Sequence, residues 1–467
     1  MPEPAERLAQ ADRVFIIAPA GFGKTYQIAK ALTYCTDGKQ LILTHTHAGV
    51  RSIREKLKKM GVSTKKYEID TITGWSLRLV TAFPVLSNLK EFSPSGDGWT
   101  SVYSSATLLM KNSSLKKIIR ATYKGIFVDE YQDCTLQQHL LIISLANLLP
   151  CRILGDPLQG IFGFQKNDRL VDWNIDVLPS FAQLEELKTP WRWNNANNIP
   201  LGASLIQLRN ALENSLPFNL NCPPIIWSLK SQQNQLYYSK CLAGKKLENV
   251  VAIHAVENQC NAFAKQLKGS YSVMEAIDCK DLKKAAEEFE VSKGCSRALC
   301  IIDFASKCMT QVTTALRSAS THWEKGKLPV VNEKINYPEL INALNLVVTN
   351  DNLSFVVDVL PLFRLIKDSY LYRRELWYEM LRTIRAYVRG GFDSLQDTAW
   401  NIRNITREQG RQIDYRVISR TLLVKGLEFD HAIVLDADNL DKKNLYVAMT
   451  RGVKSLTVLS SNPILQK

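Results

Sequence analysis

The sequence lacks several features that mark well-defined classes of protein. It has no uninterrupted run of roughly 18 apolar residues, so no membrane-spanning helix is expected. Residues 1–7 are charged and polar, without the apolar core of a secretory signal peptide. The ten cysteines include no Cys-x-x-Cys pair. This argues against a zinc or iron–sulfur centre and favours reduced thiols in a cytoplasmic protein.

Acidic residues are outnumbered by basic ones. The 467 residues include 59 lysines and arginines against 45 aspartates and glutamates, which gives a formal net charge of +14. Such an excess favours a polyanionic partner, and nucleic acid is the first candidate. The alternative is a generally basic surface with no such partner. With 46% hydrophobic residues at this length, the chain is expected to form two or more domains.

A glycine-containing segment near the N-terminus predicts a nucleotide site. It reads Ala18-Pro-Ala-Gly-Phe-Gly-Lys-Thr25, and it lies between an apolar run typical of a buried strand and a segment with helical periodicity. In such a unit, backbone N–H groups cradle phosphates, a lysine reaches the β- and γ-phosphates, and a hydroxyl ligates Mg²⁺. We therefore predict ATP and Mg²⁺ as cofactors. The predicted loop ligands are Ala20, Gly21, Phe22, Gly23, Lys24 and Thr25, and Thr25 also binds the metal.

Two further predicted strands end in polar residues. One, at residues 125–129, ends at Asp129 and is followed by Glu130. Carboxylates at the C-terminal ends of parallel strands lie where such sheets carry out chemistry, so Asp129 is a predicted Mg²⁺ and nucleotide ligand and Glu130 a general base. The other strand, at residues 151–155, leads to Gln159, whose neutral amide could sense the γ-phosphate. The alternatives are an ordinary acidic turn and a solvent-facing glutamine.

With these residues in view, the chain resembles the UvrD/PcrA/Rep group of superfamily 1 DNA helicases. The resemblance is carried by the ordered motifs Asp129-Glu-Tyr-Gln-Asp133, Gly155-Asp-Pro-Leu-Gln159 and Tyr446-Val-Ala-Met-Thr-Arg451. It implies an α/β fold of two RecA-like lobes, each a parallel sheet flanked by helices, with ATP between them. The first lobe is predicted at residues 1–190 and the second at residues 191–467.

Each lobe is expected to carry a reduced, mainly helical accessory insertion. The first insertion is predicted at about residues 79–123 and the second at about residues 336–404. The strands of the second lobe are predicted at residues 224–228, 250–254, 298–303, 415–419, 431–436 and 456–460.

The resemblance also implies roles for single residues in catalysis. Arg192, in a Thr-Pro-Trp-Arg segment, is similar to an arginine that reaches the γ-phosphate, and Arg451 is similar to a second arginine finger. Such arginines stabilise the charge that develops during phosphoryl transfer. Glu428 resembles a residue near the nucleotide sugar. The alternative for each arginine is a surface salt bridge.

Contacts with a nucleic-acid strand are predicted from the same resemblance. Thr46 and His47 lie in a segment similar to one that touches the single strand, and Trp75 lies in a second such motif. Aromatic rings can serve as stacking platforms for bases, so Trp75, Phe164 and Trp191 are candidates. Core packing is the competing interpretation for each of these rings.

Three functions remain open from the sequence. The first is an ATP-dependent helicase or translocase on single-stranded or partly duplex DNA, moving 3′–5′ as the resemblance implies, in repair, recombination or anti-phage defence. The second is a DNA-sensing ATPase subunit that regulates a partner nuclease with little unwinding of its own. For that alternative, the compact insertions are similar to those of the helicase-like subunit of the Gabija anti-phage system. The third is an RNA helicase, because both polymers offer phosphates.

Overall fold

The structure is a computed structural model. It describes residues 3–36, 38–89, 98–163, 168–245, 248–276, 279–332, 335–409 and 411–467. The strands are β1 (Arg13–Ile17), β2 (Gln40–Thr44), β3 (Tyr67–Thr71), β4 (Gly125–Val128), β5 (Cys151–Gly155), β6 (Ala182–Glu186), β7 (Phe218–Asn219), β8 (Ile225–Leu229), β9 (Val250–Ile253), β10 (Ser272–Val273), β11 (Arg416–Ser419), β12 (Phe429–Val434), β13 (Gly452–Ser460) and β14 (Ile464–Leu465).

Helices connect these strands. They are α1 (Pro4–Gln10), α2 (Lys24–Tyr34), α3 (His47–Lys59), α4 (Ile72–Ala82), α5 (Pro84–Ser87), α6 (Gly98–Leu109), α7 (Ser113–Thr122), α8 (Leu136–Ala146), α9 (Trp191–Asn195), α10 (Ile199–Glu213), α11 (Gln232–Ala243), α12 (Glu257–Gln266), α13 (Lys280–Val291), α14 (Gly294–Cys308), α15 (Val312–Glu324), α16 (Pro338–Thr349), α17 (Ser354–Leu362), α18 (Arg374–Arg389), α19 (Leu395–Gln409), α20 (Thr421–Val424) and α21 (Lys442–Met449). None of the described helices is long and apolar enough to cross a membrane.

The first sheet has the strand order β3-β2-β4-β5-β1-β6. Its neighbouring strands run parallel. Strands β2, β4 and β5 are buried along their whole length, which is why their sequences read as continuous apolar runs. Because β4, β5 and β1 are adjacent, the residues that follow these three strands meet at one edge of the sheet.

The second sheet has the order β10-β11-β9-β12-β13-β8. The pairs β10–β11, β11–β9 and β9–β12 are parallel. The predicted class, α/β with two RecA-like parallel sheets, is confirmed by these two six-stranded sheets of the described residues. Five of the six strands predicted for the second lobe are also present, as β8, β9, β11, β12 and β13.

The strand predicted at residues 298–303 is wrong, because these residues lie inside α14. A short apolar run does not distinguish a buried strand from a buried helical segment. Here Ala298, Ile301, Ile302 and Ala305 are buried at helical spacing.

The described residues form two compact units. The first comprises Met1–Ile225, Leu440–Lys454 and Ile464–Lys467, and the second comprises Ile226–Asn439 and Ser455–Pro463. The lobe boundary predicted after residue 190 therefore lies inside the first unit. There the buried Trp193 donates from its indole Nε1 to the carbonyl of Gly452 at 2.9 Å.

Both predicted insertions lie in helical parts of the chain. Where the structure describes it, the segment at residues 79–123 comprises the end of α4 together with α5, α6 and α7, and α6 packs on α4 and α8. The segment at residues 336–404 comprises α16 to α18 and most of α19. Helices α13 to α15 precede it and share one apolar core with it, around Trp323 and Trp377. The helical layer of the second unit is therefore larger than the predicted insertion.

Candidate nucleotide site

A loop with two left-handed glycines joins β1 to α2. Gly21 and Gly23 have φ angles of +78° and +85°, a region that side chains with a Cβ rarely adopt. A Cβ on Gly21 would lie only 2.8 Å from the Cβ of Arg192 and from the ring of Trp193. Position 21 therefore requires glycine for two reasons: the backbone is left-handed, and the segment with Arg192 and Trp193 packs directly against it. The loop ends at the N-terminus of α2, an arrangement that favours anion binding.

Lys24 and the acidic residues after β4 form the charged centre of the site. Lys24 Nζ lies 2.6 Å from Glu130 Oε2, and Thr25 Oγ1 donates to Asp129 Oδ2 at 3.4 Å. Burial alone would lower the pKa of Lys24, but the charges of Glu130 and Asp129 outweigh it and hold this pKa above its ordinary value. Burial and then the Glu130 charge raise the pKa of Asp129 to about 6. The structure thus brings these four predicted residues together.

Thr25 and Asp129 provide a donor set that fits Mg²⁺. This ion prefers oxygen ligands and is usually bound by one or two protein groups together with phosphate oxygens and water. Asp129 is only 3% exposed. A buried carboxylate with a raised pKa gains stability for its charged form when a cation is close. The residues present therefore fit the predicted metal.

Glu130 is held in a left-handed backbone conformation, with φ +56° and ψ +40°. This region is uncommon for residues other than glycine, and such outliers cluster at functional sites. The Glu130 carboxylate accepts from Lys24 and, at 2.6 Å, from Gln132 Nε2. The short turn Tyr131–Asp133 that follows is buried. In this conformation the Glu130 carboxylate lies beside Lys24, and its role as general base stays a prediction.

Asp156, in the loop after β5, lies at the centre of a buried polar network. Its carboxylate accepts from Gln159 Nε2 at 2.7 Å and from Arg209 Nη1 at 2.7 Å. Its backbone N–H donates to Gln132 Oε1 at 2.9 Å. Asp156 is fully buried, so these hydrogen bonds are what hold its carboxylate in place. Gln159, predicted as a phosphate sensor, is thereby fixed to the same edge of the sheet as Glu130.

Arg209, on α10, extends this network to the phosphate loop. Its Nη1 also donates to Tyr446 Oη at 3.3 Å, and the same hydroxyl accepts from the N–H of Ala20 at 3.3 Å. Sequence reasoning missed Arg209 because an arginine in a helical segment normally faces solvent. One feature of the sequence could have pointed to such a residue. Asp156 lies in the motif Gly155-Asp-Pro-Leu-Gln159, and no role was predicted for its carboxylate. A buried acid requires a basic partner, but the sequence does not show which one.

Both candidate arginine fingers lie in the same unit as the phosphate loop. The backbone N–H of Arg192 donates to the Gly21 carbonyl at 2.9 Å, and its guanidinium donates to the Thr450 carbonyl at 2.6 Å. Arg451 is 1% exposed and donates to the Val447 carbonyl at 2.8 Å and to Thr450 Oγ1 at 2.9 Å. Burial of Arg451 is inconsistent with the alternative of a surface salt bridge.

The other predicted ligands are more dispersed. Glu428 is exposed and lies in the second unit, between α20 and β12, so its role near the sugar stays a prediction. Thr46 caps α3 by accepting from the N–H of Gly49 at 3.0 Å, and His47 is the first residue of that helix. Both side chains are exposed. Phe164 lies outside the described residues.

The two predicted tryptophan contacts have different outcomes. Trp75 is 4% exposed and packs in the core of the first unit with Val102 and Tyr103. A ring enclosed in this way cannot stack on a base, so the prediction for Trp75 is wrong and core packing is correct. Trp191 is 49% exposed, and its Cδ1 would lie 3.4 Å from a Cβ on Gly23. Its ring is therefore beside the phosphate loop, a position that the sequence did not predict.

Comparison with known proteins agrees with the motifs. The family model described as the UvrD/REP helicase N-terminal domain matches residues 86–170. The resemblance to superfamily 1 helicases is confirmed over this segment. The matched segment contains Asp129, Glu130 and Gln159, which the structure places at one edge of the first sheet. The chain has no match among curated proteins.

Several solved helicase structures are similar to the chain at low identity. Arterivirus nonstructural protein 10 (helicase) with DNA has a TM-score of 0.31 and 13% identity, covering 58% of this chain and 54% of that one. Pif1 helicase from Bacteroides, in complex with ADP-AlF3 and ssDNA, has a TM-score of 0.32 and 12% identity, covering 57% and 56%. Pif1 helicase from Candida albicans has a TM-score of 0.41 and 11% identity, covering 99% and 96%. The chain spans about half the length of the first of these proteins.

Proposed function

We propose that the protein is an ATP-dependent DNA helicase or translocase of the superfamily 1 type. The observation that carries the proposal is the contact between Lys24 and Glu130, with Thr25 and Asp129 beside it. A phosphate-binding lysine, a metal-binding pair and a general base thus lie at one edge of a parallel sheet. Few activities other than nucleoside triphosphate hydrolysis need this combination.

The chemistry follows from the charges of these side chains. Before ATP binds, Lys24 and Glu130 neutralise each other at 2.6 Å. Bound phosphates offer Lys24 a competing anion, which releases Glu130 to accept a proton from the attacking water. Magnesium held by Thr25 and Asp129 would neutralise charge on the phosphate oxygens. Arg192 and Arg451 would stabilise the charge that develops as the terminal phosphoryl group is transferred.

Gln159 and Arg209 have complementary parts in this proposal. Gln159 contacts the terminal phosphate or the attacking water and reports its departure. Arg209 acts through Asp156, which accepts from both residues at 2.7 Å and so sets the position of the Gln159 amide. Arg209 is therefore a positioning residue. Its contact with Tyr446 connects the same network to the phosphate loop.

The substrate and direction rest on the motif resemblance together with the net charge of +14. We propose single-stranded or partly duplex DNA as substrate and a 3′–5′ direction of movement. Repair, recombination and anti-phage defence are the candidate settings. The exposed Thr46 and His47 at the start of α3 are the proposed strand contacts, together with Trp191.

The test is steady-state ATP hydrolysis with and without single-stranded DNA, duplex DNA and single-stranded RNA. Strong stimulation by single-stranded DNA supports the proposal, and displacement assays on duplexes with a 3′ or a 5′ tail then establish direction. Stimulation by RNA alone would favour an RNA helicase. ATP hydrolysis at the same rate with and without each nucleic acid would favour an ATPase subunit that regulates a partner such as a nuclease.

A further inference from the structure

Helix α18, in the second unit, keeps its acidic residues buried or half-buried and exposes most of its basic ones. Its two acidic residues, Glu375 and Glu379, face inward and pair with Arg403 on α19 at 2.9 Å and 2.6 Å. Glu379 is fully buried. The adjoining, more exposed face carries basic and aromatic side chains, namely Arg374, Tyr378, Arg382, Arg385 and Arg389.

These five positions form a narrow row. At about 100° per residue they fall within an arc of about 80°, and at about 1.5 Å per residue they extend about 22 Å along the helix. Among the described residues, Arg374 has an ion-pair partner, Asp414 at 3.5 Å, whereas Arg382, Arg385 and Arg389 have none. Because Glu375 and Glu379 are paired with Arg403, every charged residue in the row itself is basic.

A cavity of about 440 Å³ lies at the N-terminal end of this row. Its described lining includes three basic side chains, Lys268, Arg364 and Arg374, against one acidic side chain, Asp414. Tyr378 contributes a ring to the same cavity and is 40% exposed. The neighbouring Arg373 takes no part, since it is buried against Glu275 and Asp281. The cavity therefore extends the basic row and adds an aromatic wall.

We propose that this basic face, defined as Lys268, Arg364, Arg374, Arg382, Arg385 and Arg389, binds the sugar–phosphate backbone of nucleic acid. Guanidinium groups pair with phosphate through two parallel hydrogen bonds and are only weakly hydrated. The row of about 22 Å is as long as a stretch of about six phosphates, which follow one another about every 3.4 Å along a strand. The half-exposed Tyr378 ring beside these guanidinium groups offers a surface on which a base can stack, which favours nucleic acid over an acidic protein segment. The site lies in the unit that lacks the phosphate loop, and its binding requires no nucleotide.

The test compares two variants of the full chain that lose the same charge. The first, called the face variant, combines Arg382→Gln, Arg385→Gln and Arg389→Gln and so removes three of the six residues of the basic face. The control combines Arg317→Gln, Lys325→Gln and Lys327→Gln, which are exposed on or just after α15 and have no ion-pair partner among the described residues. Fluorescence anisotropy follows binding of a blunt duplex and of a single strand, without nucleotide, over a series of salt concentrations.

The face variant is expected to bind one or both polymers at least about ten-fold more weakly at low salt. Each lost phosphate contact lowers the slope of log K against log salt by about 0.9 for duplex and about 0.7 for single strand. The slope should therefore fall by about 2 to 3 in the face variant and by less than about 1 in the control. The polymer that loses more binding identifies the form that the face holds. Melting temperatures of the two variants should match that of the parent chain.

Two results would overturn this site. Unchanged binding of both polymers, or equal losses in the face variant and the control, would mean that the row is an ordinary solvated surface. A face variant that loses polyglutamate binding as strongly as DNA binding would mean that the face serves an acidic protein. Hydrolysis of ATP without nucleic acid should stay unchanged in both variants. If the parent chain hydrolyses no ATP but the face variant still loses DNA binding, the proposed motor function is wrong and the proposed binding site is still supported.

Discussion

The two units contain six-stranded sheets of similar design but join strand to helix in different ways. In the first, β1 leads into α2 through a loop in which Gly21 and Gly23 adopt left-handed conformations. In the second, β9 leads into α12 through His254, Ala255 and Val256, without a glycine. Only glycines readily allow successive N–H groups to converge on a phosphate. A few backbone positions, and not the architecture, therefore give the first unit its nucleotide site.

Buried charge is also used differently in the two units. In the first, Lys24 and Glu130 pair at the edge of the sheet where β1 and β4 end, and the fully buried Asp156 follows β5 beside them. In the second, Arg373 joins α18 to Glu275 beyond β10, and Arg403 joins α19 to Glu379 of α18. These pairs hold helices in place. The comparison predicts that charge removal should impair chemistry in the first unit and stability in the second.

The largest effect is expected from Arg451→Ala. Loss of an arginine that stabilises the transferred phosphoryl group should lower kcat by about 10³-fold or more, while ATP binding is retained. Arg317→Ala, on the exposed face of α15, is the matched control. Turnover and the Kd for ATP are measured on both. If ATP binding and turnover fell together, the buried Arg451 would have a structural role. Charge removal in the first unit would then act on stability, as it is expected to do in the second.

Glu130→Gln should lower kcat by about 10²- to 10⁴-fold because the general base is lost. The amide keeps the size of the side chain, so ATP should still bind and remain unhydrolysed. Single-turnover phosphate release measures the chemical step directly, and Glu339→Gln, an exposed acid at the start of α16, is the control. Turnover that persists in Glu130→Gln would contradict the assignment of Glu130 as base.

In the second unit, Glu379→Ala should act on stability. It leaves Arg403 buried without its principal partner, which is expected to lower the free energy of unfolding by about 3 to 5 kcal/mol. Urea unfolding followed by tryptophan fluorescence checks this value, with Glu339→Ala expected to stay within about 0.5 kcal/mol of the parent. A loss below about 1 kcal/mol for Glu379→Ala would show that solvent reaches the pair.

The smallest effect is expected from Arg209→Lys. This change keeps the positive charge beside Asp156 but loses the planar guanidinium, whose several N–H groups donate in fixed directions. We therefore expect kcat to fall about five- to ten-fold with little change in KM. In a Gln159→Ala background the same substitution should have no further effect on kcat, because Arg209 acts through that side chain. Additive losses in the double variant would indicate that Arg209 has only a structural role.

Local spacing explains which parts of the site could be predicted. Lys24 and Thr25 follow the loop directly, and Glu130 follows a strand, so short segments specify them. Arg209 lies 53 positions after Asp156 in the chain, and only the packing of α10 brings the two together at 2.7 Å. No local pattern contains that pairing.

The errors have equally physical causes. The run at residues 298–303 has the composition of a strand, but the following residues continue its burial at helical spacing, as Ala305 shows. Trp75 lies in a segment that resembles a strand-contacting motif, yet burial of its ring depends on α6, which follows more than 20 residues later. Composition describes a segment, whereas burial depends on what packs against it.

The contact between Gly21 and Trp193 has a consequence for mutational tolerance. A methyl group at position 21 would meet the Trp193 ring at 2.8 Å, so each residue limits which substitutions the other accepts. A genetic selection that starts from Gly21→Ala should therefore recover second-site changes to smaller side chains at position 193. Such revertants would be partial, since the contact with the Arg192 Cβ at 2.8 Å would remain and the φ angle of +78° still disfavours alanine. The spectrum of suppressors would thus map the packing around the phosphate loop without any assay of its chemistry.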